Sequence, residues 1–523
     1  MEYESPSSMS PSSMTSTITQ ALPDVPPLDQ HQELSFLFRQ YDIRGRIQEE
    51  GTQGHNIDEW PASPELSPRL AFALGCALGA ELHRAPSPPQ EWHFAIGYDS
   101  RLSGPSLAHA VELGLRRMNV HVIHLGLVPT PVVYFATHHL PKEGLPCHGG
   151  VMITGSHNPK GWNGFKINLG ENSIYGERLQ EIALRILKAD YQSFAGQPLP
   201  TRSLHIDLSA VYLREMKARL TLPASRARSL KVILDSGHGA AGPLATRLFT
   251  ELGFQVSCLY EEPDGRFPAH HPDPTIESNL ENLKEEVLRT RADIGIGFDG
   301  DGDRIGVIDR QGEVIWGDLL LLLLAEPILQ KTPGVRIIGE VKCSQLLFDG
   351  IQERGGIPEM WRVGHSLIKA RMRETDAPIA GEMSGHIFFA DRFYGYDDAI
   401  YVAGRVLERL CAPDFDLNAW RTQLPTVVNT PEIKVWCADK DKTSVIQRVQ
   451  EYFRLHYPVS DVDGARVQFE GGWALVRASN TQPVLVMRYE ARDELQLQKI
   501  RAEVEAWIKA HAPEVRFDVD PNH

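Results

Sequence analysis

The 523-residue chain has little that would tie it to an oxidising compartment, a membrane or a nucleic acid. Its six cysteines, Cys76, Cys147, Cys258, Cys343, Cys411 and Cys437, are scattered with no CxxC pair. That pattern excludes a disulfide frame and fits reduced, half-buried thiols in a cytosolic protein. Long apolar runs are also missing. The longest, Leu319 to Ala325, stops at Glu326-Pro327, far short of the ~20 residues of a membrane-spanning helix, and reads as one face of a core helix. No Lys or Arg precedes Arg39, so the basic start of a secretory signal and the Arg-rich pattern of a transit peptide are both absent. The expected location is cytoplasmic. Positive charge is in short supply: 68 acidic residues against 53 basic leave a net charge of −15. This argues against a nucleic-acid or membrane-surface partner and leaves only local basic pockets for phosphate.

What is present is enough apolar material, 42% of residues, to bury the cores of about three or four domains. Residues 1–31, rich in Ser, Pro and Met, read as a disordered tail. Beyond it, short apolar strands alternate with helical patterns, which implies α/β layers with a largely parallel sheet. Phe94–Gly97, Val120–Ile123 and Gly150–Ile153 are expected strands of a first unit, with helices over Pro68–His83 and Leu107–Met118. A second unit follows the Pro198–Pro200 linker, with strands at Lys231–Asp235 and Val256–Tyr260. A third carries strands at Arg336–Ile338 and Met360–Val363. From about Thr426 the pattern becomes that of an α+β unit, with strands near Ile433–Trp436, Ala465–Phe469, Trp473–Val476 and Val484–Glu490.

Four loops carry chemistry. Thr154-Gly-Ser-His-Asn-Pro159 follows an apolar strand and displays Ser156 on a turn shaped by Gly and Pro, with Lys166 ten positions on. Ile294–Ile308 sets Asp299, Asp301 and Asp303 at alternate positions separated by glycines, between two apolar strands. Three carboxylates so placed can converge on one hard cation with oxygen ligands. Bare, each pair would repel by roughly 4 kcal/mol at about 4 Å and an effective dielectric near 20. An EF-hand is excluded, because Arg304 stands where its glycine belongs and Arg310 where its bidentate glutamate should be. Glu382, Ser384 and His386 alternate in a polar loop that can offer acceptors and donors to hydroxyls. Arg477-Ala-Ser-Asn-Thr481, between two strands of the last unit, offers a guanidinium fork, hydroxyls and an amide to a phosphate. A further motif, Gly237-His-Gly-Ala-Ala-Gly242, follows a strand and opens a helix, with Glu261 some twenty residues on. It fits a dinucleotide fingerprint or simply a tight strand-to-helix turn.

From about Phe38 to Glu490, these four loops in this order resemble the α-D-phosphohexomutases, in their bifunctional phosphomannomutase/phosphoglucomutase branch. The resemblance implies an α/β protein of four domains around a central cleft: three related α/β units with mixed sheets plus a C-terminal α+β domain. The corresponding division is a tail over 1–31, then 32–202 with the phosphoserine loop, 203–313 with the metal loop, 314–425 with the sugar loop and 426–523 with the phosphate loop. Ser156 would carry a phosphate and, through it, join Asp299, Asp301 and Asp303 around Mg²⁺. Lys166, Arg44 and His386 would serve proton transfer or substrate orientation. Glu382 and Ser384 would read sugar hydroxyls, and Tyr41, Arg304, Lys342 and His365 would contact sugar or phosphate. Arg477, Ser479, Asn480 and Thr481 would clamp the distal phosphate.

The implied reaction interconverts the 1- and 6-phosphates of mannose and of glucose through a reorienting hexose 1,6-bisphosphate, which also serves as activator. The implied partners are small hexose phosphates, with no nucleic acid or membrane, and the implied state is a monomer or weak oligomer. In this resemblance the glycine turn at 237–242 binds no dinucleotide. Alternatives are a phosphoglucosamine mutase, which the Met383 context disfavours, a nicotinamide-dependent oxidoreductase, and a non-catalytic phosphosugar-binding regulator.

Overall fold

A computed structural model describes residues 34, 37–47, 66–190, 201–480 and 482–518. The expected N-terminal tail, the Pro-rich stretch before residue 66, the Pro198–Pro200 linker and Thr481 lie outside the described residues. Four sheets are present, and the first three share one wiring. In the first sheet, Trp92–Tyr98 runs parallel to both Val120–Leu127 and Gly149–Ile153, and Trp162–Leu169 then returns antiparallel beside Gly149–Ile153. In the second, Lys231–Asp235 is parallel to Gln255–Leu259 and to Ile294–Phe298, and Ile305–Asp309 returns antiparallel. In the third, Arg336–Glu340 is parallel to Ile357–Trp361 and to Ile379–Gly381, and Ile387–Phe389 returns antiparallel. The sheets are therefore mixed rather than largely parallel.

One consequence fixes the site. The three loops at 154–161, 299–304 and 382–386 occupy the same topological position, the hairpin between the third parallel strand of each unit and its antiparallel return. They hold Ser156, the three aspartates, and Glu382 with Ser384. Each loop leaves the carboxyl end of a parallel strand, where ligand sites of α/β sheets gather. The strands feeding them are short and apolar; Gly149–Ile153 and Ile294–Phe298 are buried along their whole length, as expected of strands covered on both faces. The fourth sheet is antiparallel, and its hairpin between Gly472–Ala478 and Val484–Ala491 carries the Arg477 loop.

A single apolar cluster runs through the first three units, joining Ala95 and Phe135 to Leu234 and Phe298 and on to Leu322, Ile337 and Tyr401. The fourth unit has its own core and meets the third through Val341, Trp473 and Leu475. Arg466 ties that junction. Its guanidinium donates to the carbonyls of Val341 and Cys343 at 2.6 and 2.7 Å and lies 3.8 Å from the centre of the Trp473 ring.

Several sequence expectations are corrected here. The Leu319–Ala325 run lies in a helix, Gly317–Lys331, that is buried on nearly every side rather than on one face, and that continues through Pro327. Buried Glu326 receives Arg354 at 2.8 Å, Trp420 Nε1 at 2.7 Å and Arg409 at 3.2 Å, which compensates the charge inside the core. The strand expected at Met360–Val363 instead spans Ile357–Trp361. It is an edge strand, so Pro358 is tolerated there. Ser203–His205 pairs in parallel with Val120–Leu127 and forms the edge of the first sheet. All six cysteines are free, and no helix among the described residues is long and apolar enough to cross a membrane.

Candidate active site

Ser156 is buried and holds φ at +48°, the left-handed region, a conformation that costs a side-chain-bearing residue roughly 1–2 kcal/mol. Its backbone N–H donates to Thr154 Oγ1 at 2.7 Å, and the Thr154 hydroxyl donates to Asp99 at 2.7 Å. The Ser156 hydroxyl donates to Asp299 Oδ2 at 2.8 Å and lies 3.2 Å from His157 Nδ1. The loop carrying Ser156 and the loop carrying the three aspartates therefore meet through these side chains. Gly300 permits this approach, because a Cβ there would fall 2.6 Å from the Ser156 carbonyl oxygen.

Asp299, Asp301 and Asp303 are wholly buried, and one ligand oxygen from each lies within 4.8 Å of the others. Asp301 takes the Thr130 hydroxyl at 2.5 Å and Lys166 Nζ at 2.7 Å, and Lys166 also contacts Asp303. The N–H groups of Asp303 and Arg304 both donate to Asp299 at 3.1 Å. Two carboxylate oxygens, Asp301 Oδ1 and Asp303 Oδ1, are buried with no hydrogen-bond partner. A divalent cation with oxygen ligands would supply what they lack. Burial first, then Asp301 and Asp303, push the Asp299 carboxyl well above its usual range. Burial would pull the Lys166 ammonium down, but Asp301 and Asp303 outweigh it and raise its pKa. Lys166 thus sits on a buried strand position, paired with two carboxylates, rather than as a solvated charge. Arg44, on the neighbouring strand Ile43–Arg46, donates to the Thr154 carbonyl and pairs with Asp42 at 2.8 Å.

A chain of contacts leads from this cluster into the other two units. Arg304 Nε donates to His386 Nε2 at 2.9 Å, which leaves the His386 proton on Nδ1. Nδ1 in turn lies 3.0 Å from Asp397 and 3.6 Å from Asp303, without an in-line hydrogen bond to either. Lys369 donates to Asp397 at 3.1 Å from behind. His386 stacks on His365 at 5.6 Å, and His365 meets the edge of Tyr41 at 6.2 Å. The Tyr41 hydroxyl donates to the Val363 carbonyl and accepts from Asn480, linking the first, third and fourth units.

Glu382 takes the Gly364 N–H at 2.7 Å on one oxygen and the Ser384 hydroxyl at 3.1 Å on the other. Arg477 pairs with Asp463 at 3.1 Å, while Ser479 Oγ accepts the Gln482 N–H at 3.2 Å and the Ser479 carbonyl accepts Lys442 Nζ at 2.6 Å. Lys342 is pinned by Glu432 at 2.8 Å and lies 3.5 Å from Glu340, whose Oε1 accepts the Met383 N–H at 3.0 Å. Thus the Ser156, Asp, Lys166 and Arg44 group forms one cluster, and Arg304, His386, His365, Tyr41 and Asn480 form the bridge from it. Lys342 and Arg477 stand on the third- and fourth-unit sides, each held by an acidic partner.

Sequence reasoning missed Asp99, Arg101, Thr130, Asp397, Lys369, Glu340 and Glu432. The one available signal was Asp99, which directly follows the apolar strand Trp92–Tyr98. The Gly237–Gly242 turn has a structural use: the Ala240 N–H donates to the Gly300 carbonyl at 3.0 Å. A Cβ on Gly239 would lie 2.9–3.0 Å from the carbonyls of Gly300, Ser236 and Asp299, and one on Gly242 would lie 2.5 Å from that of Glu261. These glycines allow close packing against the aspartate loop.

Family models of phosphoglucomutase/phosphomannomutase match in series along the chain: alpha/beta/alpha domain I over residues 35–193, domain II over 210–312, domain III over 316–427 and the C-terminal domain over 432–506. A phosphomannomutase/phosphoglucomutase of Pseudomonas syringae is 39% identical over 480 residues, covering 92% of this chain and 96% of that protein. A phosphoglucomutase of Neisseria meningitidis is 36% identical over 479 residues, covering 91% and 97%. The crystal structure of a phosphoglucomutase/phosphomannomutase family protein from Burkholderia thailandensis superposes with a TM-score of 0.82 at 38% identity, covering 93% of this chain and 98% of that one. With every domain matched in order and more than nine-tenths of the chain shared, the chain belongs to the phosphoglucomutase/phosphomannomutase family.

Proposed function

We propose that this chain is a phosphohexomutase that interconverts mannose 6-phosphate with mannose 1-phosphate and glucose 6-phosphate with glucose 1-phosphate. The observation that carries the proposal is the Ser156 hydroxyl, 2.8 Å from an aspartate triplet with two unpaired buried oxygens. In the first transfer, the free hydroxyl of the bound hexose phosphate attacks the phosphorus of phospho-Ser156. The new sugar O–P bond forms as the P–Oγ bond breaks, and the hydroxyl proton ends on Ser156 Oγ. The bisphosphate then turns end for end, and Ser156 takes the other phosphate by the reverse step. Asp299, Asp301, Asp303 and the phosphate on Ser156 would hold Mg²⁺, which when bound supplies positive charge against the transferring oxygens.

The chain's own residues do the rest. Lys166 is the candidate acid/base, with its proton held by Asp301 and Asp303. Arg44 and His386 orient the substrate or assist the proton. Arg304, His365, Tyr41 and Lys342 line the path between the two ends of the sugar. Arg477, Ser479, Asn480 and Thr481 form the fixed phosphate clamp that must accept either end. Glu382 and Ser384 are wired to each other and to Gly364, so the carboxylate has a set direction and spare lone pairs for sugar hydroxyls. Hydroxyls common to glucose and mannose would be read there, leaving the 2-position little discriminated. A trace of hexose 1,6-bisphosphate primes the cycle by phosphorylating Ser156.

The test is steady-state turnover of mannose 1-phosphate and glucose 1-phosphate by the parent and by Ser156→Ala. The proposal expects both activities in the parent and near-complete loss of both in the variant, with thermal stability preserved. Full activity in Ser156→Ala refutes it, and preferred turnover of glucosamine 6-phosphate would move the assignment to a phosphoglucosamine mutase.

A further inference from the structure

Arg101 lies inside the loop that carries Ser156, only 2% exposed, and every donor of its side chain is engaged there. A guanidinium has five N–H groups in a fixed planar fork. Nε donates to Asp99 at 3.3 Å, Nη1 donates to the carbonyls of Pro159 and Trp162, each at 2.8 Å, and Nη2 donates to those of Ser156, at 2.8 Å, and Asn158. Four backbone carbonyls of one loop therefore point inward at a single cation. The Pro159 carbonyl also accepts the Trp162 N–H at 2.9 Å, whereas no other donor to the Ser156 and Asn158 carbonyls is seen among the described residues, and a buried unpaired carbonyl costs about 1–3 kcal/mol. Asp99 completes the frame by accepting from Arg101 N at 3.0 Å, the Thr154 hydroxyl at 2.7 Å and Gly155 N at 3.2 Å. The second unit closes over the outside. The Phe267 ring lies 5.3 Å from the guanidinium carbon, and a Cβ on Gly265 would fall 2.4 Å from the Ser100 carbonyl.

We propose that Arg101 is a positioning residue for phosphoryl transfer: by gathering the carbonyls of residues 156, 158, 159 and 162, it holds Ser156 in its left-handed conformation with Oγ aimed at Asp299. The inference rests on Ser156 as the phosphate carrier. Arg101 reaches no substrate-facing atom except through the backbone, so its loss is felt in kcat and little in KM. A misplacement of about 1 Å at the reacting atom can cost on the order of 10²-fold. Gly155 gives an independent handle on the same contact. A Cβ there would fall 2.3 Å from the Arg101 guanidinium carbon and Nε, while φ at Gly155 lies outside the left-handed region, so alanine meets the arginine first. Gly155→Ala displaces the guanidinium without deleting it.

The experiment measures kcat and KM for glucose 1-phosphate in the parent, Arg101→Ala, Gly155→Ala and the double variant. Arg101→Ala is also assayed with guanidinium chloride well below denaturing concentration and with equal ammonium chloride. The expected result is a kcat lower by roughly 100-fold in each single variant, with KM close to the parent's. Guanidinium, but not ammonium, should restore activity to Arg101→Ala, and adding Gly155→Ala to Arg101→Ala should cost nothing further. Parental kcat in Arg101→Ala, a loss that sits in KM, no response to guanidinium, or single losses that multiply in the double variant would each overturn the proposal. Should Arg101→Ala prove insoluble, Arg101→Lys replaces it, since lysine keeps the charge but cannot bridge four carbonyls. A kcat loss at unchanged KM then supports the proposal and parental kcat overturns it. The parent is first checked for covalent phosphate on Ser156 after incubation with glucose 1,6-bisphosphate. Its absence overturns the Ser156 assignment and this inference with it, whereas a phosphorylated parent and a fully active Arg101→Ala overturn this inference alone.

Discussion

Replacing Asp299 with asparagine should stabilise the metal-free protein while crippling the enzyme. The ligand oxygens of Asp299, Asp301 and Asp303 lie within 4.8 Å of one another in a wholly buried site. At that separation two unit charges repel by roughly 3.5 kcal/mol at an effective dielectric near 20. Lys166 contacts only Asp301 and Asp303, so Asp299 meets two like charges without a direct lysine partner. Taking up a proton relieves part of this, as the raised pKa of Asp299 indicates. Neutralising the group permanently should therefore raise the melting temperature of the metal-free protein. Asparagine keeps the shape: its carbonyl can still accept the N–H groups of Asp303 and Arg304, its amide can donate to Ser156 Oγ, and the Ser156 proton can turn toward His157 Nδ1. Added Mg²⁺ should reverse the order, because a ligand at 100 times its Kd adds about 2.7 kcal/mol to the form that binds it, and the variant has lost one of three carboxylates. The assay is thermal unfolding of both proteins in EDTA and in saturating Mg²⁺. The reasoning is refuted if the variant melts below the parent in EDTA, or if Mg²⁺ raises both melting temperatures equally.

Other consequences follow from single contacts. Burial, then Glu382 and Glu432 working against Lys342, hold Glu340 up at about 7 against an ordinary value of 4.5. The native state therefore binds more protons than the unfolded chain in that window, and stability falls as pH rises through it. Glu340→Gln should remove this slope, worth at most about 3 kcal/mol, in urea titrations run at successive pH values; an unchanged slope would contradict the assignment. Arg466→Ala leaves the Val341 and Cys343 carbonyls unpaired and strips a cation from the Trp473 face. A loss of about 3–5 kcal/mol is expected, and a urea-derived loss below about 1 kcal/mol would argue against it. Gly300→Ala puts a methyl group 2.6 Å from the Ser156 carbonyl; kcat should fall roughly 10- to 100-fold, and a parental kcat would show that the two loops need not touch.

The parts of the site that were legible in sequence are those whose partners sit side by side along the chain. Asp299, Asp301 and Asp303 span five positions between two apolar strands, so glycine spacing alone pointed to their convergence. Ser156 follows a fully buried strand, and the turn residues after it marked the loop. The partners of Asp99 and Thr130 were not legible, because Thr154 and Asp301 lie 55 and 171 positions away, and neither was that of Asp397, which the pairing of Tyr396–Asp397 with Ile387–Phe389 sets beside His386. Sheet order and unit packing, not local pattern, bring them together. The glycine turn at 237–242 misled for a related reason. Close backbone approach is what such glycines permit, and sequence does not say whether a pyrophosphate or the metal loop makes the approach. The misplaced strand at Met360–Val363 reflects an apolar pattern outweighing Pro358, which an edge position tolerates.

The central claim is that Ser156 carries the migrating phosphate. Its most direct test is intact-mass and peptide mapping of the parent protein after incubation with glucose 1,6-bisphosphate and Mg²⁺, and again after a chase with mannose 1-phosphate. One phosphoryl group on Ser156 that is gained in the first step and discharged in the chase is the predicted result; sustained turnover with Ser156 never phosphorylated would contradict it.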